Sequence, residues 1–497
     1  MNASETLRCD AVVIGSGAGG APTALALAEA GLEVVVLEAG ERIETRDFAG
    51  DAGALMARLM TATTARDGGL ELYAGSCVGG STVVNDALCW RPPPEVLEAW
   101  QRDGLPGLDA SVFAPHVERV WRAIRASPTT RENQSRNARL LERGAQRLGW
   151  ATESMPRNVN GCANLGRCNT GCPSGAKRSA LLTWLPDAEA LGARVLPNAR
   201  AERIEVVAGR VRAVEALRID PRTRAPVGRL RIEAPRVCVA AGVLGTPALL
   251  LRSGIGASSG LGQGVQLHSS VYVAARFRDP VLGFFGPTMS QAVTQFGDVH
   301  GHAGPGFMIE SVTTAAATTA GGLPGFGAPH EAAMQALPHL ARAVVVLRDH
   351  TRGSVAVGGD GAPVFSYQPV PSDRVRLRDA VRATARLYLE AGAELVFLPI
   401  NGAAAARSEA DLAALDDASF EARSLSLLYA VHLFGGACMA SAPVHGACDE
   451  SGRVFGVAGL YVSDASGLPS NTGVNPQVTI LANALRIAAA VAGTAAG

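Results

Sequence analysis

The stretch CDAVVIGSGAGGAPTALALAEAGLEVVVLEAGER, residues 9–42, decides the fold of this chain. Its first apolar run, AVVIG, predicts a buried parallel strand. A Gly-x-Gly-x-x-Gly loop follows at Gly15, Gly17 and Gly20, then a helical pattern and a second apolar strand that ends at Glu38. This order of strand, glycine loop, helix, strand and acid predicts a Rossmann-like dinucleotide-binding unit.

Each glycine of this loop has its own physical task. Gly15 permits a tight turn, Gly17 lets the backbone approach a pyrophosphate, and Gly20 lets the helix pack closely on the strand. The N–H groups at the helix start then face the phosphates, and Glu38 can bind a ribose hydroxyl. A second strand–glycine–helix pattern at 236–256, RVCVAAGVLGTPALLLRSGIG, predicts a return to the same sheet. A dinucleotide domain interrupted in this way favours FAD over NAD.

Length and composition limit the classes of protein to which this chain can belong. A chain of 497 residues is long enough for two domains, or for one domain with an inserted lobe. Because its net charge is zero, the chain has no overall electrostatic attraction to nucleic acid or to an anionic membrane. No apolar run reaches the roughly 20 residues that a spanning helix needs, and MNASETLRCD lacks the pattern of a signal peptide. We therefore expect a cytoplasmic protein, while export together with a partner subunit stays open.

A second glycine-rich loop, GSCVGGSTVVNDALCWRPP, occupies residues 75–93. The consecutive glycines Gly79 and Gly80 let main-chain N–H groups lie against an anionic or electron-rich ligand. Ser81 follows them directly, and Asn85 adds an amide that can both donate and accept hydrogen bonds. We predict that this loop contacts the cofactor.

The C-terminal part of the chain carries residues suited to proton chemistry. His432 opens the stretch HLFGGACM, and a histidine can hold or release a proton near neutral pH. Asn475 precedes Pro476 in GVNPQVTI, where a proline suits a helix start. The positive end of that helix would favour negative charge that develops in front of it. We predict that this tail folds back onto the N-terminal unit and completes an active site there.

Read together, these motifs resemble those of the glucose–methanol–choline (GMC) oxidoreductases, and the resemblance spans the whole chain. The segment from Gly242 to Gly256 is similar to the second signature of the family, except at Val243, where a smaller residue is usual. The stretches RDHTRGSVAVGGDGAPVFSY and LEAGAEL look most like the branch that contains long-chain alcohol oxidases.

The resemblance implies an α/β fold (α+β overall), in which a discontinuous Rossmann-like FAD-binding domain carries an inserted substrate domain. The substrate domain is expected to be an antiparallel sheet with helices. The implied ranges are 1–150, 173–262 and 440–497 for the FAD-binding domain, 151–172 for a cysteine-rich loop, and 263–439 for the substrate domain.

The resemblance also implies roles for single residues. His432 matches the catalytic histidine, as general base or proton relay, and Asn475 matches the residue that orients the substrate hydroxyl. Asp464, in LYVSDAS, is expected near the ribityl or phosphate part of FAD, and Pro476 near the flavin ring. Some relatives bind FAD covalently through a histidine, but the matching position here is Val84, which implies non-covalent FAD. His445, in a polar loop, is a weaker rival for the catalytic histidine.

The implied reaction is FAD-dependent oxidation of an alcohol, apolar and primary or secondary, to the carbonyl. The hydroxyl loses its proton, a hydride moves to flavin N5, and the electrons pass to a quinone or an acceptor protein rather than to O₂. Three alternatives stay open. They are an O₂-dependent alcohol oxidase that releases H₂O₂, non-redox or light-driven chemistry on the same fold, and a flavin-bearing electron-transfer subunit without its own substrate.

Three cysteines crowd into NGCANLGRCNTGCPSGAK, at Cys162, Cys168 and Cys172. Such crowding, with a Cys-Pro end, suggests metal ligation. The spacing resembles that of a [3Fe–4S] loop in a bacterial FAD-dependent glucose dehydrogenase, and Leu165 stands where a four-cysteine loop would have a second ligand. We therefore predict a [3Fe–4S] centre as one option, with zinc, or a buried or redox-labile loop without metal, as the others.

Overall fold

The computed structural model describes residues 5–256, 260–402 and 405–493. The predicted domain ranges also include residues 1–4, 257–259, 403–404 and 494–497, which lie outside the described residues.

A five-stranded parallel sheet carries the glycine loop. Valine and other apolar residues fill its central strands, as expected of a sheet that is buried on both faces. All of its strand pairs are parallel. The strands, in spatial order, are Leu460–Val462, Arg236–Val239, Ala11–Ile14, Val34–Leu37 and Arg194–Leu196. This sheet confirms the Rossmann-like prediction, and it shows that the segment from residue 236 and the tail both return to the N-terminal unit.

A separate four-stranded sheet contains the strands Glu5–Arg8, Pro226–Glu233, Arg210–Ile219 and Ala199–Val207, in spatial order. A nine-stranded sheet forms the body of the substrate side. Its strands, in spatial order, are Met60–Thr64, Glu71–Gly75, Tyr429–Ala430, Ser270–Arg276, Leu340–Leu347, Phe307–Ser311, Gln291–Val293 and Thr152–Ser154, and Leu395–Phe397 also pairs with Ser270–Arg276. The pairs among the central strands are antiparallel, as predicted. Strands from 60–75 and 152–154 join this sheet, so it crosses the predicted domain boundaries.

A smaller sheet brings two distant segments of the site together. Its strands are Pro363–Ser366, Gly353–Val357, Gln263–Leu267 and Leu433–Phe434. Leu267 lies opposite Leu433 in its register, so the residues beside them, His268 and His432, become neighbours. One further pair joins Ala126–Pro128 to Pro156–Asn158.

The helices cover the sheets and set the position of the tail. The last helix, Gln477–Gly493, packs against Gly20–Glu29 and Ala110–Ala123, so the tail lies beside the helix of the glycine loop. The other α-helices are Ala52–Leu59, Ser81–Val84, Pro94–Arg102, Arg136–Leu148, Trp184–Ala190, Gly242–Arg252, Ala316–Gly322, Gly327–Gln335, Pro371–Glu390 and Glu409–Ala413. Among the described residues, no helix has both the length and the apolar character required to cross a bilayer.

Candidate active site

The glycine loop leaves no room for side chains where it meets the sheet. Gly15 has a φ of 102°, and a Cβ there would lie 2.1 Å from the carbonyl oxygen of Ala240. A Cβ on Gly20 would lie 1.8 Å from the carbonyl oxygen of Gly15. Only glycine is compatible with these contacts, and the loop therefore turns tightly at the carboxyl end of strand Ala11–Ile14.

The second glycine loop lies directly against the first. A Cβ on Gly80, where φ is 53°, would lie 2.7 Å from the Cα of Gly17. The backbone N–H of Gly79 donates to Ser16 Oγ over 3.0 Å, and Ser16 Oγ donates to Glu38 over 2.6 Å. Hydrogen bonds therefore join the two loops and the acid at the strand end into one unit.

The nucleotide-facing groups fit a dinucleotide. Glu38 is buried and accepts hydrogen bonds from the backbone N–H groups of Ser16, at 3.0 Å, and Gly40, at 2.8 Å. Burial raises the pKa of Glu38, and these hydrogen bonds oppose the shift. The residue before the helix, Gly19, provides no side-chain cap, so the N–H groups of the first turn have no side-chain acceptor. Such a helix start suits a pyrophosphate.

The loop around Asn85 connects the cofactor side to the tail. Ser81 Oγ accepts the backbone N–H of Gly75 over 2.9 Å. The Asn85 amide donates to the side-chain oxygen of Gln477, the first residue of the last helix. Lys177 is buried and donates to the carbonyl oxygen of Asn85 over 2.8 Å. The start of the last helix, directly after Asn475 and Pro476, is thereby held next to this loop.

Asp464 lies against the glycine loop, but its carboxylate oxygens accept hydrogen bonds from other residues of the protein. A Cβ on Gly19 would lie 2.8 Å from the Cα of Asp464. One carboxylate oxygen accepts from the N–H of Gly242 and from Thr246 Oγ1, both over 2.7 Å, and the other accepts from the N–H of Ser466 over 2.9 Å. These contacts tie the tail to the helix Gly242–Arg252.

The structure brings together the two residues predicted to carry the chemistry. Asn475 Nδ2 lies 3.4 Å from His432 Nε2, although 43 residues separate them in the sequence. His432 is half-buried, and desolvation lowers its pKa to about 4. The rival His445 is exposed, in a turn closed by its N–H and the carbonyl oxygen of Ala442. His432 therefore lies partly buried beside Asn475, whereas His445 lies at the surface.

Two buried titratable residues at this site, His268 and Glu310, were not predicted from the sequence. His268 Nδ1 lies 3.2 Å from His432 Nδ1, and Asn475 Nδ2 lies 3.4 Å from Glu310 Oε2. Both residues are fully buried, and burial raises the pKa of Glu310 to about 8. Glu310 is the charged residue within the apolar strand Phe307–Ser311, which is a signal that the sequence offers. The sequence gives no comparable signal for His268, because its position depends on strand register.

Aromatic side chains stand on the large sheet close to the histidines in the sequence. Tyr272 and Tyr429 stack with their ring centroids 4.8 Å apart, and the Arg342 guanidinium lies 4.0 Å from the Tyr272 centroid. Burial raises the pKa of both tyrosines. The helix Ala316–Gly322 covers this group, since a Cβ on Gly322 would lie 2.9 Å from the Tyr272 ring.

The cysteine-rich loop does not form the metal site that its spacing suggested. Arg157 Nη2 lies 3.2 Å from Cys168 Sγ, Arg157 Nη1 lies 3.9 Å from Cys162 Sγ, and Cys172 Sγ lies 3.3 Å from Ser174 Oγ. Within the ranges 5–256, 260–402 and 405–493, no three His, Cys, Asp or Glu side chains are grouped so that they could bind a metal ion. The predicted [3Fe–4S] or zinc site is therefore not supported, because the three thiols are not grouped as ligands and contact Arg157 and Ser174 instead.

Comparison with known proteins extends these observations. Two sequence profiles, both described as GMC oxidoreductase, match residues 11–270 and 349–484. An uncharacterized GMC-type oxidoreductase of Mycobacterium tuberculosis is 38% identical over 97% of this chain and 75% of its own length. A long-chain-alcohol oxidase of Arabidopsis thaliana is 29% identical over 98% of this chain and 67% of its own length.

Solved structures share the fold. The crystal structure of pyridoxine 4-oxidase from Mesorbium loti superposes with a TM-score of 0.74 at 21% identity, over 97% of this chain and 99% of that chain. Formate oxidase superposes with a TM-score of 0.75 at 16% identity, over 98% of this chain and 99% of that chain. The profile matches and the Mycobacterium relative carry the assignment, and this chain belongs to the GMC oxidoreductase family.

Proposed function

We propose that this protein uses FAD to oxidise an apolar primary or secondary alcohol to the corresponding carbonyl compound. The electrons then pass to an acceptor other than O₂, such as a quinone or an acceptor protein. The observation that carries this proposal is the 3.4 Å approach of Asn475 to His432, beside a loop that is bonded to the dinucleotide motif.

The residues that would hold FAD belong to the two glycine loops and the segments bonded to them. The helix start after the first loop has no side-chain cap, which suits a pyrophosphate, and the second loop packs directly against the first. These residues are Gly15, Gly17, Gly20, Glu38, Gly79, Gly80, Ser81, Asn85, Asp464 and Pro476. When bound, the flavin supplies an acceptor for a hydride. Val84 stands where covalent attachment would need a histidine, so we propose dissociable FAD.

The protein's own contribution is to hold one hydroxyl group. His432 Nε2 and the side-chain amide of Asn475 lie 3.4 Å apart, so both can bond one substrate oxygen and fix its position and direction. Glu310 contacts the same amide nitrogen of Asn475 and keeps that amide in place. Asn475 and Glu310 are buried, which strengthens the hydrogen bond between them.

The names of relatives support an apolar substrate. The relatives from Arabidopsis thaliana carry the name long-chain-alcohol oxidase, which is compatible with the same substrate class.

A panel of alcohols under anaerobic conditions tests the proposal. We expect long-chain or other apolar alcohols to bleach the flavin absorbance at about 450 nm. The methyl ethers of the same chains serve as matched controls, because they keep the carbon chain and lack the hydroxyl. If no alcohol bleaches the flavin of a properly loaded protein, the proposal is wrong.

A second candidate is an alcohol oxidase that reduces O₂ to H₂O₂. The names of several relatives favour it, since they are called oxidases. Turnover of the same alcohol with O₂ and with a quinone analogue, each followed by its own product, separates the two. Stoichiometric H₂O₂ and no benefit from the quinone would establish the oxidase in place of the dehydrogenase.

A further inference from the structure

His268 is completely buried behind His432 and contacts the site through both of its ring nitrogens. Its Nδ1 lies 3.2 Å from Nδ1 of His432, and its Nε2 lies 3.1 Å from the backbone nitrogen of Gly473. The two backbones are also paired, since the N–H of His268 donates to the carbonyl oxygen of His432. The position of His268 is therefore fixed on both sides.

These contacts determine where His268 carries its proton. A backbone N–H can only donate, so Nε2 of His268 must accept from Gly473 and cannot carry a hydrogen. A neutral imidazole has one N–H, and in His268 this hydrogen must therefore be on Nδ1. That Nδ1–H points at Nδ1 of His432, which must in turn be the acceptor.

Both imidazoles are neutral near pH 7. Desolvation lowers the pKa of His432 to about 4, and burial together with the neighbouring His432 and Arg348 lowers the pKa of His268. A neutral His432 that accepts at Nδ1 has its own hydrogen on Nε2. This is the nitrogen that faces Asn475.

We propose that His268 is a positioning residue that fixes His432 in the tautomer with its proton on Nε2. The Nε2–H of His432 then faces the side chain of Asn475 in the resting enzyme. The tautomer follows from the contacts alone, whereas the role toward a substrate rests on the alcohol oxidation proposed above.

The same assignment satisfies polar atoms that otherwise lack partners. With Asn475 Nδ2 directed at His432 and Glu310, its Oδ1 is buried without a hydrogen-bond partner. Exchanging the two amide atoms places Oδ1 toward the Nε2–H of His432. Glu310, whose pKa is raised to about 8, is protonated near neutral pH and can donate to the same oxygen.

The tautomer can be measured directly by ¹⁵N NMR on protein labelled in the histidine rings. The chain has nine histidines, and His432→Gln identifies the signals of His432 by their loss. We expect the flavin-loaded wild type to show an unprotonated Nδ1 and a protonated Nε2 at His432. A protonated Nδ1 with an unprotonated Nε2 would overturn the proposal.

Two substitutions of His268 form a matched pair. An asparagine amide reaches about as far as Nδ1 of histidine, so His268→Asn can keep a donor toward His432. A glutamine amide reaches about as far as Nε2, so His268→Gln keeps an acceptor for Gly473 but loses that donor. We expect the Gln variant to lose the single tautomer and to lower kcat roughly tenfold with little change in KM. The Asn variant should keep the tautomer and recover part of kcat.

The NMR result does not depend on turnover, so the two proposals fail separately. If His432 has the expected tautomer and no alcohol is oxidised, the proposed function is wrong and the positioning role stands. If alcohols are oxidised but the Gln variant keeps the wild-type tautomer, His268 does not fix it and the inference is wrong. Flavin content of each variant confirms that the fold is intact in either case.

Discussion

The nucleotide side and the substrate side of this site are built by different means. The nucleotide side consists of backbone: two glycine loops, 15–20 and 75–85, approach until Gly80 would strike Gly17 if it had a Cβ. The substrate side consists of side chains, and its four polar members come from four separate segments. They are His268, Glu310, His432 and Asn475.

This difference separates steric requirements from hydrogen-bonding requirements. A backbone cradle fails when any atom is added, because a close approach leaves no space. A side-chain cluster tolerates some change in shape. It depends on which atoms donate and which accept each hydrogen bond, because each buried polar atom needs a partner. Substitutions on the two sides should therefore fail in different ways.

The largest effect is expected on the nucleotide side, from Gly20→Ala. The added Cβ would lie 1.8 Å from the carbonyl oxygen of Gly15, so helix and loop must separate. We expect a loss of about 3 kcal/mol or more in the free energy of unfolding, together with loss of bound flavin. Chemical denaturation and flavin absorbance measure both.

Two glycine variants serve as controls for this prediction. Gly321→Ala places its Cβ in open space on a helix and should leave stability and flavin content unchanged. Gly17→Ala has its nearest neighbour at 3.7 Å, the Cα of Gly80, so the chain should fold while binding FAD more weakly. Normal stability and flavin content of Gly20→Ala would refute the steric argument.

On the substrate side, His432→Ala should affect turnover and leave the fold intact. Removal of one donor toward the reacting oxygen lowers kcat/KM by about 10²- to 10³-fold in comparable sites. We expect such a loss for alcohol oxidation, measured by flavin reduction, with unchanged flavin content. His445→Ala, at an exposed position, is the matched control and should behave as wild type. Equal losses of activity in both variants would show that His432 has no special role in turnover.

A pH-dependent effect is expected for Glu310→Gln. Glu310 has a pKa of about 8 when folded, against an ordinary value of 4.5, so the unfolded chain binds fewer protons between these values. Wild-type stability therefore falls as the pH rises through this window, and the variant lacks this loss. The difference in the free energy of unfolding should shift in favour of the variant by about 3 kcal/mol between pH 6 and pH 9.

Denaturation curves of the flavin-loaded proteins at the two pH values measure this shift. Glu331→Gln, at an exposed position, provides the control and should show no such dependence. A constant difference between wild type and Glu310→Gln at both pH values would mean that the carboxyl is not held protonated.

The smallest effect is expected in the cysteine-rich loop, from Cys162→Ser. Its sulfur makes long contacts with Arg157, at 3.9 Å, and Asn164, at 3.7 Å. Cys9→Ser, at another half-buried position outside the loop, is the matched control. Both should change the free energy of unfolding by less than about 1 kcal/mol, without a change in visible absorbance beyond that of the flavin. Stoichiometric iron and sulfide in the wild type, lost in Cys162→Ser, would restore the cluster hypothesis.

Much of the nucleotide side could be predicted because its signals are local. Gly15, Gly17, Gly20 and Glu38 lie within one strand–helix–strand unit, where spacing along the chain sets spacing in space. The prediction for Cys162, Cys168 and Cys172 used the same logic but failed to find support, because local spacing does not reveal the buried Arg157 that contacts two of the thiols.

The sequence by itself predicted the parallel sheet, the glycine loops and the return of the tail, while the family resemblance predicted that His432 and Asn475 act together. Only the tertiary structure decided that His268 and Glu310 complete this pair. Their positions depend on the pairing of Leu267 with Leu433 and on the strand Phe307–Ser311, which are contacts between segments far apart in the chain. The direction of the hydrogen bonds depends on the same contacts, because a tautomer is set by neighbours in space and not by neighbours in sequence.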